Sequence, residues 1–99
     1  MTHYKLAFLG FGNVGRALAE LLIRKKTELK EKYDITFSVT GIATGRRGSL
    51  VNPNGIDLHG ALELVRSSRS LSLLTTKPVE DSFDFIQKCG ADVLFENTS

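Results

Sequence analysis

The sequence contains little that suggests a metal centre, a disulfide-stabilised fold or a membrane segment. Its single cysteine, Cys89, cannot form an internal disulfide and lies in no metal-binding spacing, so we interpret it as a small packing residue. The two histidines, His3 and His59, lie far apart without carboxylate or thiol partners in a ligand pattern. No apolar run approaches the roughly 20 residues that cross a bilayer, and the N-terminus lacks the plan of a signal peptide. We therefore expect a cytoplasmic protein without a metal or a membrane partner.

Excess charge is also small. The formal net charge is +2 over 99 residues, and the basic runs at residues 24–26 and at Arg46 and Arg47 are short. Neither run has interleaved aromatic side chains, so nucleic acid is not an expected partner. With 41% hydrophobic and 24% charged residues, the composition is that of an ordinary globular domain.

The apolar pattern predicts strands that alternate with helices. Unbroken or β-branched apolar runs predict strands at residues 5–9, 35–43 and 91–96. Helical spacing predicts three helices: one with the stripe Val14, Ala17, Leu18, Leu21 and Leu22, one capped by Asp57 with the stripe Leu58, Ala61, Leu62 and Val65, and a short one at residues 82–88 ended by Gly90. Residues 44–55 are predicted to be a loop. This order indicates an α/β fold, a partial doubly wound (Rossmann-like) parallel sheet with helices on both faces.

A glycine-rich loop follows the first predicted strand and opens the first predicted helix. In this context its pattern, GxGxxG, is typical of dinucleotide-binding folds. Gly10 permits the tight turn out of the strand, Gly12 lets a pyrophosphate approach the backbone, and Gly15 lets the helix pack closely on the strand. The N–H groups around Asn13 and Val14 would meet the phosphates at the positive end of the helix dipole. A glycine-rich turn that binds nothing is the alternative, and the absence of GxxxxGK[ST] removes the main support for phosphoryl transfer.

An acidic residue is missing where NAD-specific sites have one. Such sites place a carboxylate at the end of the second strand, where it accepts hydrogen bonds from the adenosine ribose. Here Thr44, a glycine, Arg46 and Arg47 follow that strand. No carboxylate occurs between the end of that strand and Asp57. Two guanidinium groups beside small residues leave room for a 2′-phosphate and offer it planar donors. We therefore predict NADP in preference to NAD, with a solvated loop tip as the alternative interpretation of the arginines.

Three segments narrow the dinucleotide-binding interpretation to one family. They are FLGFGNVGR at residues 8–16, the strand ending GIA at residues 41–43, and ADVLFENTS at residues 91–99. Together with RRGS at residues 46–49, they resemble the N-terminal region of homoserine dehydrogenase. The similarity covers nearly the whole chain but only the first part of such an enzyme.

The resemblance implies a reaction and a set of binding residues. Homoserine dehydrogenases interconvert L-homoserine and L-aspartate 4-semialdehyde by hydride transfer with NAD(P), on the route to threonine, methionine and isoleucine. By position, the pyrophosphate would be held by Phe11, Gly12, Asn13 and Val14. Arg46 or Arg47 would contact the 2′-phosphate, and Thr98 and Ser99 would lie near the nicotinamide half. The family's catalytic lysine and substrate-binding acidic residues come later than Ser99, so no catalytic residue is assigned.

We therefore interpret residues 1–99 as an NAD(P)-binding domain, an incomplete N-terminal fragment of a longer enzyme. The family dimerises through a later substrate domain, so the resemblance implies a homodimer for the full-length enzyme. Two alternatives stay open. One is a stand-alone module that senses a dinucleotide without catalysis, and the other is a related semialdehyde or sugar oxidoreductase with the same first domain.

Overall fold

A computed structural model describes residues 2–44, 49–67 and 81–97 of the chain. The strand and helix predictions fall largely within these ranges. The described elements, in chain order, are β1 (Thr2–Leu9), α1 (Asn13–Tyr33), β2 (Ile35–Ala43), β3 (Ser49–Val51), α2 (Leu58–Arg66), α3 (Ser82–Cys89) and β4 (Val93–Glu96).

The described strands form one sheet in the order β3-β2-β1-β4. Strand β1 pairs in parallel with β2 on one side and with β4 on the other, as the predicted fold class requires. The prediction of a loop over residues 44–55 was wrong in part, because β3 pairs antiparallel with β2 inside that range. Leu50 and Val51 of β3 are fully buried. A strand of three residues is too short to show the period-2 alternation by which strands are recognised.

Helices cover both faces of this sheet, which confirms that part of the predicted fold. On one face, α1 and α2 pack on a cluster that includes Phe8, Val39 and Ile42. On the other face, Phe85 and Cys89 of α3 pack on one buried residue from each of three strands: Ala7 of β1, Ala43 of β2 and Val51 of β3. The predicted role of Cys89 as a buried packing residue is thus confirmed.

A register shift in β2 sets which side chains face each layer. Leu6 pairs with Val39, but Ala7 pairs with Gly41, so Thr40 is an extra residue on β2. The extra residue acts as a β-bulge and changes the alternation of side chains along the strand. Gly41 then faces α3, where its backbone lies close to Phe85.

Helix α1 buries a face one position away from the predicted stripe. Val14 is 71% exposed and Leu21 is 40% exposed, whereas Gly15 and Ala19 are buried. Small residues are at the contact because they allow the helix to approach the strands closely. Leu18, Leu22 and Ile23 complete the packed face.

The ends of the shorter helices follow the predicted signals. Asp57 is the N-cap of α2, although its side chain makes no capping hydrogen bond. Gly90 ends α3 in the left-handed conformation, with φ of 59°, which glycine adopts without steric cost. Among the described residues, no helix combines the length and the apolar character needed to cross a membrane.

Candidate dinucleotide-binding site

The glycine loop connects the end of β1 to the start of α1. Gly10 has a φ of 98°, a conformation that side chains with a Cβ rarely adopt. Its N–H donates to the carbonyl oxygen of Ala43 at 2.8 Å, so the loop is fixed to the end of β2. Phe11 is buried edge-on against Phe8, with ring centroids 5.6 Å apart. The side chain of Phe11 therefore anchors the loop in the core, and its backbone is the part that can reach a ligand.

Open space lies over Gly12, the N-cap of α1. A Cβ added at Gly12 would meet no atom within 4 Å. No side chain caps the helix, and its first turn contains no acidic residue. The first N–H groups of an α-helix have no intrahelical partner and carry the positive end of its dipole. This combination of open backbone and uncapped N–H groups, at Asn13 and Val14, suits an anionic group.

Gly15 lies where the helix, the loop and β4 meet. A Cβ added there would lie 2.9 Å from Asn97 Oδ1 and 3.0 Å from the carbonyl oxygen of Gly10. The sequence predicted close helix–strand packing at Gly15, and the structure adds Asn97 as the neighbour that makes it close. Asn97 N–H donates to the carbonyl oxygen of Leu9 at 2.9 Å, which ties the end of β4 to the end of β1.

Asn97 was not among the predicted binding residues. Its Oδ1 is buried and has no hydrogen-bond partner, while its Nδ2 donates to the carbonyl oxygen of Phe95 at 3.4 Å. Buried polar atoms are nearly always hydrogen-bonded, so an unpaired one marks an unusual position. The signal that could have identified it is its place directly after β4, where parallel strands present ligand-binding residues.

Arg16 was also not among the predicted binding residues. Its Nε donates to the carbonyl oxygen of Gly12 at 3.3 Å, and its Nη2 donates to Asn13 Oδ1 at 2.8 Å. The guanidinium is therefore folded back over the first turn of α1. A basic residue directly after the third glycine was visible in the sequence, but only the fold shows where its charge lies.

The glycine loop and Asn97 lie where the order of the strands in the sheet reverses. From β1 the chain crosses to β2 on one side, and it later reaches β4 on the other side of β1. Ligands of doubly wound folds bind in the crevice at such a point, outside the carboxyl ends of the strands. Gly10 and Asn97 both lie at those ends. Their position makes this crevice the candidate site.

The structure brings together part of the predicted set. Residues 10–15 are brought together where β1 leads into α1, with Gly12, Asn13 and Val14 exposed and Phe11 and Gly15 buried. Thr44 lies half-buried directly after β2. Arg46 and Arg47, predicted at the 2′-phosphate, lie outside the described residues. So do Thr98 and Ser99, predicted near the nicotinamide.

Comparison with known proteins supports the predicted resemblance. The chain is 34% identical over 99 residues to an NAD(+)-dependent homoserine dehydrogenase of Pseudomonas canavaninivorans, covering 99% of this chain and 28% of that protein. It is 33% identical over 94 residues to a homoserine dehydrogenase of Methanocaldococcus jannaschii, covering 94% and 27%. The chain is homologous to homoserine dehydrogenases. It spans little more than a quarter of the length of these relatives, and no family model matches it.

Solved homoserine dehydrogenases have the same arrangement of strands and helices. A hyperthermophilic archaeal homoserine dehydrogenase in complex with NADPH superposes with a TM-score of 0.78 at 25% identity, over 99% of this chain and 29% of that one. The homoserine dehydrogenase of Thermoplasma acidophilum gives a TM-score of 0.73 at 14% identity, over 98% and 27%. The second likeness concerns the fold alone. Together they confirm the Rossmann-like fold class predicted from the sequence.

Proposed function

We propose that this chain is the dinucleotide-binding part of an NAD(P)-dependent homoserine dehydrogenase, which interconverts L-homoserine and L-aspartate 4-semialdehyde. The observation that carries the proposal is the uncapped, open start of α1 in a chain similar over its whole length to homoserine dehydrogenases. One relative is described as NAD(+)-dependent, and one solved homoserine dehydrogenase is in complex with NADPH. A nicotinamide dinucleotide is therefore the class of ligand that fits.

The residues at the loop suit the pyrophosphate of such a ligand. The bare Cα of Gly12 leaves room for phosphate oxygens, and the N–H groups of Asn13 and Val14 are placed to donate to them. Gly10 and Gly15 hold the loop close to β1 and Asn97. When bound, the reduced dinucleotide would donate the hydride and the oxidised form would accept it, while the chain contributes binding and orientation.

At the other end of the ligand, we propose that Arg46 and Arg47 select NADP. Thr44 follows directly after β2 and has no carboxylate that would accept hydrogen bonds from the ribose. A hydrogen bond to a charged group contributes about 1.5–3 kcal/mol. One arginine could thus shift the preference by roughly tenfold or more.

The nicotinamide half would lie beyond the carboxyl end of β4, near Thr98 and Ser99. Asn97 lies there in the structure, and its backbone N–H is already committed to Leu9. Hydride transfer would also require catalytic residues. We propose that these correspond to parts of the relatives that this chain does not match, since it covers 28% of one of them. The homodimer, the cytoplasmic location and the pathway to threonine, methionine and isoleucine stay predictions.

Equilibrium binding of NADPH and NADH to the chain tests the proposal. We expect both to bind, with NADPH tighter, and we expect Arg46→Ala or Arg47→Ala to reduce the NADPH preference without affecting NADH. Arg24→Ala is a matched control, because Arg24 is exposed on α1 away from the loop. Absence of binding by a chain that circular dichroism shows to be folded would refute the dinucleotide site. Equal affinity of the wild type for both would refute the NADP preference alone.

A further inference from the structure

The charge of Arg16 lies at the start of α1. Because Nε contacts the carbonyl oxygen of Gly12 and Nη2 contacts Asn13 Oδ1, the guanidinium is held beside the first turn. Two of its five N–H groups are used in these contacts, and three are left over. It is therefore oriented by the loop that the proposed function assigns to the pyrophosphate.

This position is unfavourable for a cation in the unliganded chain. Positive side chains are stabilised near the C-terminus of a helix and disfavoured near its N-terminus. The first turn of α1 contains no acidic residue to offset the charge. Across residues 2–44, 49–67 and 81–97, basic side chains with ion pairs include Arg66 with Glu20 and Lys88 with Asp84, but Arg16 forms none. An anion at the loop would remove the imbalance.

We propose that Arg16 binds the pyrophosphate of the dinucleotide, with Asn13 as its positioning residue. This role rests on the proposed function and deepens it. Guanidinium groups pair with phosphate through parallel N–H donors, a geometry that lysine does not reproduce. The pyrophosphate is common to NAD and NADP. Arg16 thus contributes to affinity for both, unlike the arginines proposed at the 2′-phosphate.

The test compares binding of NADH and NADPH to the wild type, Arg16→Gln, Arg16→Lys and the control Arg24→Gln. We expect Arg16→Gln to weaken both ligands roughly tenfold or more, a loss of about 1.4 kcal/mol, with the ratio of their dissociation constants unchanged. Arg16→Lys should give an intermediate loss. In Arg16→Gln, the dependence of affinity on salt should be shallower, because a charge contact to phosphate is gone.

Thermal unfolding without ligand separates binding from a structural role. Removing a cation from the N-terminus of α1 should leave Tm unchanged or raise it. Unchanged affinity in Arg16→Gln, or a loss confined to NADPH, overturns the role of Arg16. So does a fall in Tm that accounts for the weaker binding. A folded wild type that binds neither dinucleotide overturns the proposed function itself, and this inference with it.

Discussion

Two glycines of the same loop differ in what surrounds them. A Cβ at Gly12 would enter open space, and its φ of −83° is ordinary for any residue. We therefore expect Gly12→Ala to change the free energy of unfolding by less than about 1 kcal/mol. The added methyl group would occupy the space proposed for the pyrophosphate, so dinucleotide affinity should fall by roughly tenfold or more. Urea unfolding and a binding titration on the same variant measure the two effects.

Gly15→Ala is expected to lower the free energy of unfolding more than Gly12→Ala does. Its Cβ would lie 3.0 Å from the carbonyl oxygen of Gly10 and 2.9 Å from Asn97 Oδ1. The Asn97 side chain must then turn away and the Gly10 carbonyl group must shift slightly, which should cost about 1–3 kcal/mol of stability. Denaturant unfolding measures the loss, with Gly12→Ala as its control. Equal stability of the two variants would contradict the close packing at Gly15.

The sequence predicted the roles of these glycines because the pattern and its strand–helix context are local. Asn97 and Arg16 could not be assigned that way. Asn97 is more than 80 residues from Gly15 in the sequence, and their contact exists only because β4 pairs with β1. For Arg16, the sequence gives the charge but not the rotamer that turns it towards Gly12 and Asn13.

At the scale of elements, the contact between β2 and α3 has no spare room. A Cβ at Gly41 would lie 2.7 Å from Cys89 Cβ and 2.8 Å from Phe85 Cζ. Overpacking of a filled core forces side chains or backbone to shift, so Gly41→Ala should lower the free energy of unfolding by about 1–3 kcal/mol. Adding Phe85→Leu, which removes the Cζ contact, should make the cost less than the sum of the two single substitutions.

Gly60→Ala in α2 is the matched control for that experiment. The nearest neighbour of its Cβ would be the carboxylate of Asp57 at 3.0 Å, and Asp57 is exposed and free to turn. Alanine is favoured over glycine inside helices by up to about 1 kcal/mol. We therefore expect no loss of stability from Gly60→Ala in the same denaturation series. A loss as large as that of Gly41→Ala would show that neither value reports local packing.

The boundaries of β2 and α3 were predictable because both carry local signals, a β-branched run and a glycine cap. The buried face of α1 was predicted one position off. Val14 and Leu21 fit a helical stripe as well as Ala19 does, and only docking on β1 decides which side is covered. Strand β3 was missed because its three residues are stabilised by pairing with β2 rather than by a pattern of their own.

For the whole molecule, the order of strands is what assembles the site. Strand β1 lies between β2 and β4, so the loop after it is flanked by the ends of both neighbours. Gly10 contacts Ala43 on one side, and Leu9 contacts Asn97 on the other. The alternation of strands and helices predicted a parallel sheet, but not that β4 would lie next to β1. Without that neighbour the glycine loop would face solvent on one side.

The same order leaves β4 at the edge of the described sheet. Val93 and Leu94 are each 38% exposed, and edge strands with apolar side chains pair readily with other chains. The homologous enzymes are more than three times as long, which gives them further residues that can cover such an edge.

We expect the 99-residue chain to self-associate through β4 as its concentration rises. Leu94→Lys should reduce that association, because a lysine on an edge strand opposes pairing. Sedimentation velocity over a concentration series measures the effect. Tyr33→Lys, which adds the same charge at a 64% exposed position at the end of α1, should not reduce association; an equal reduction would attribute the effect to net charge rather than to the edge.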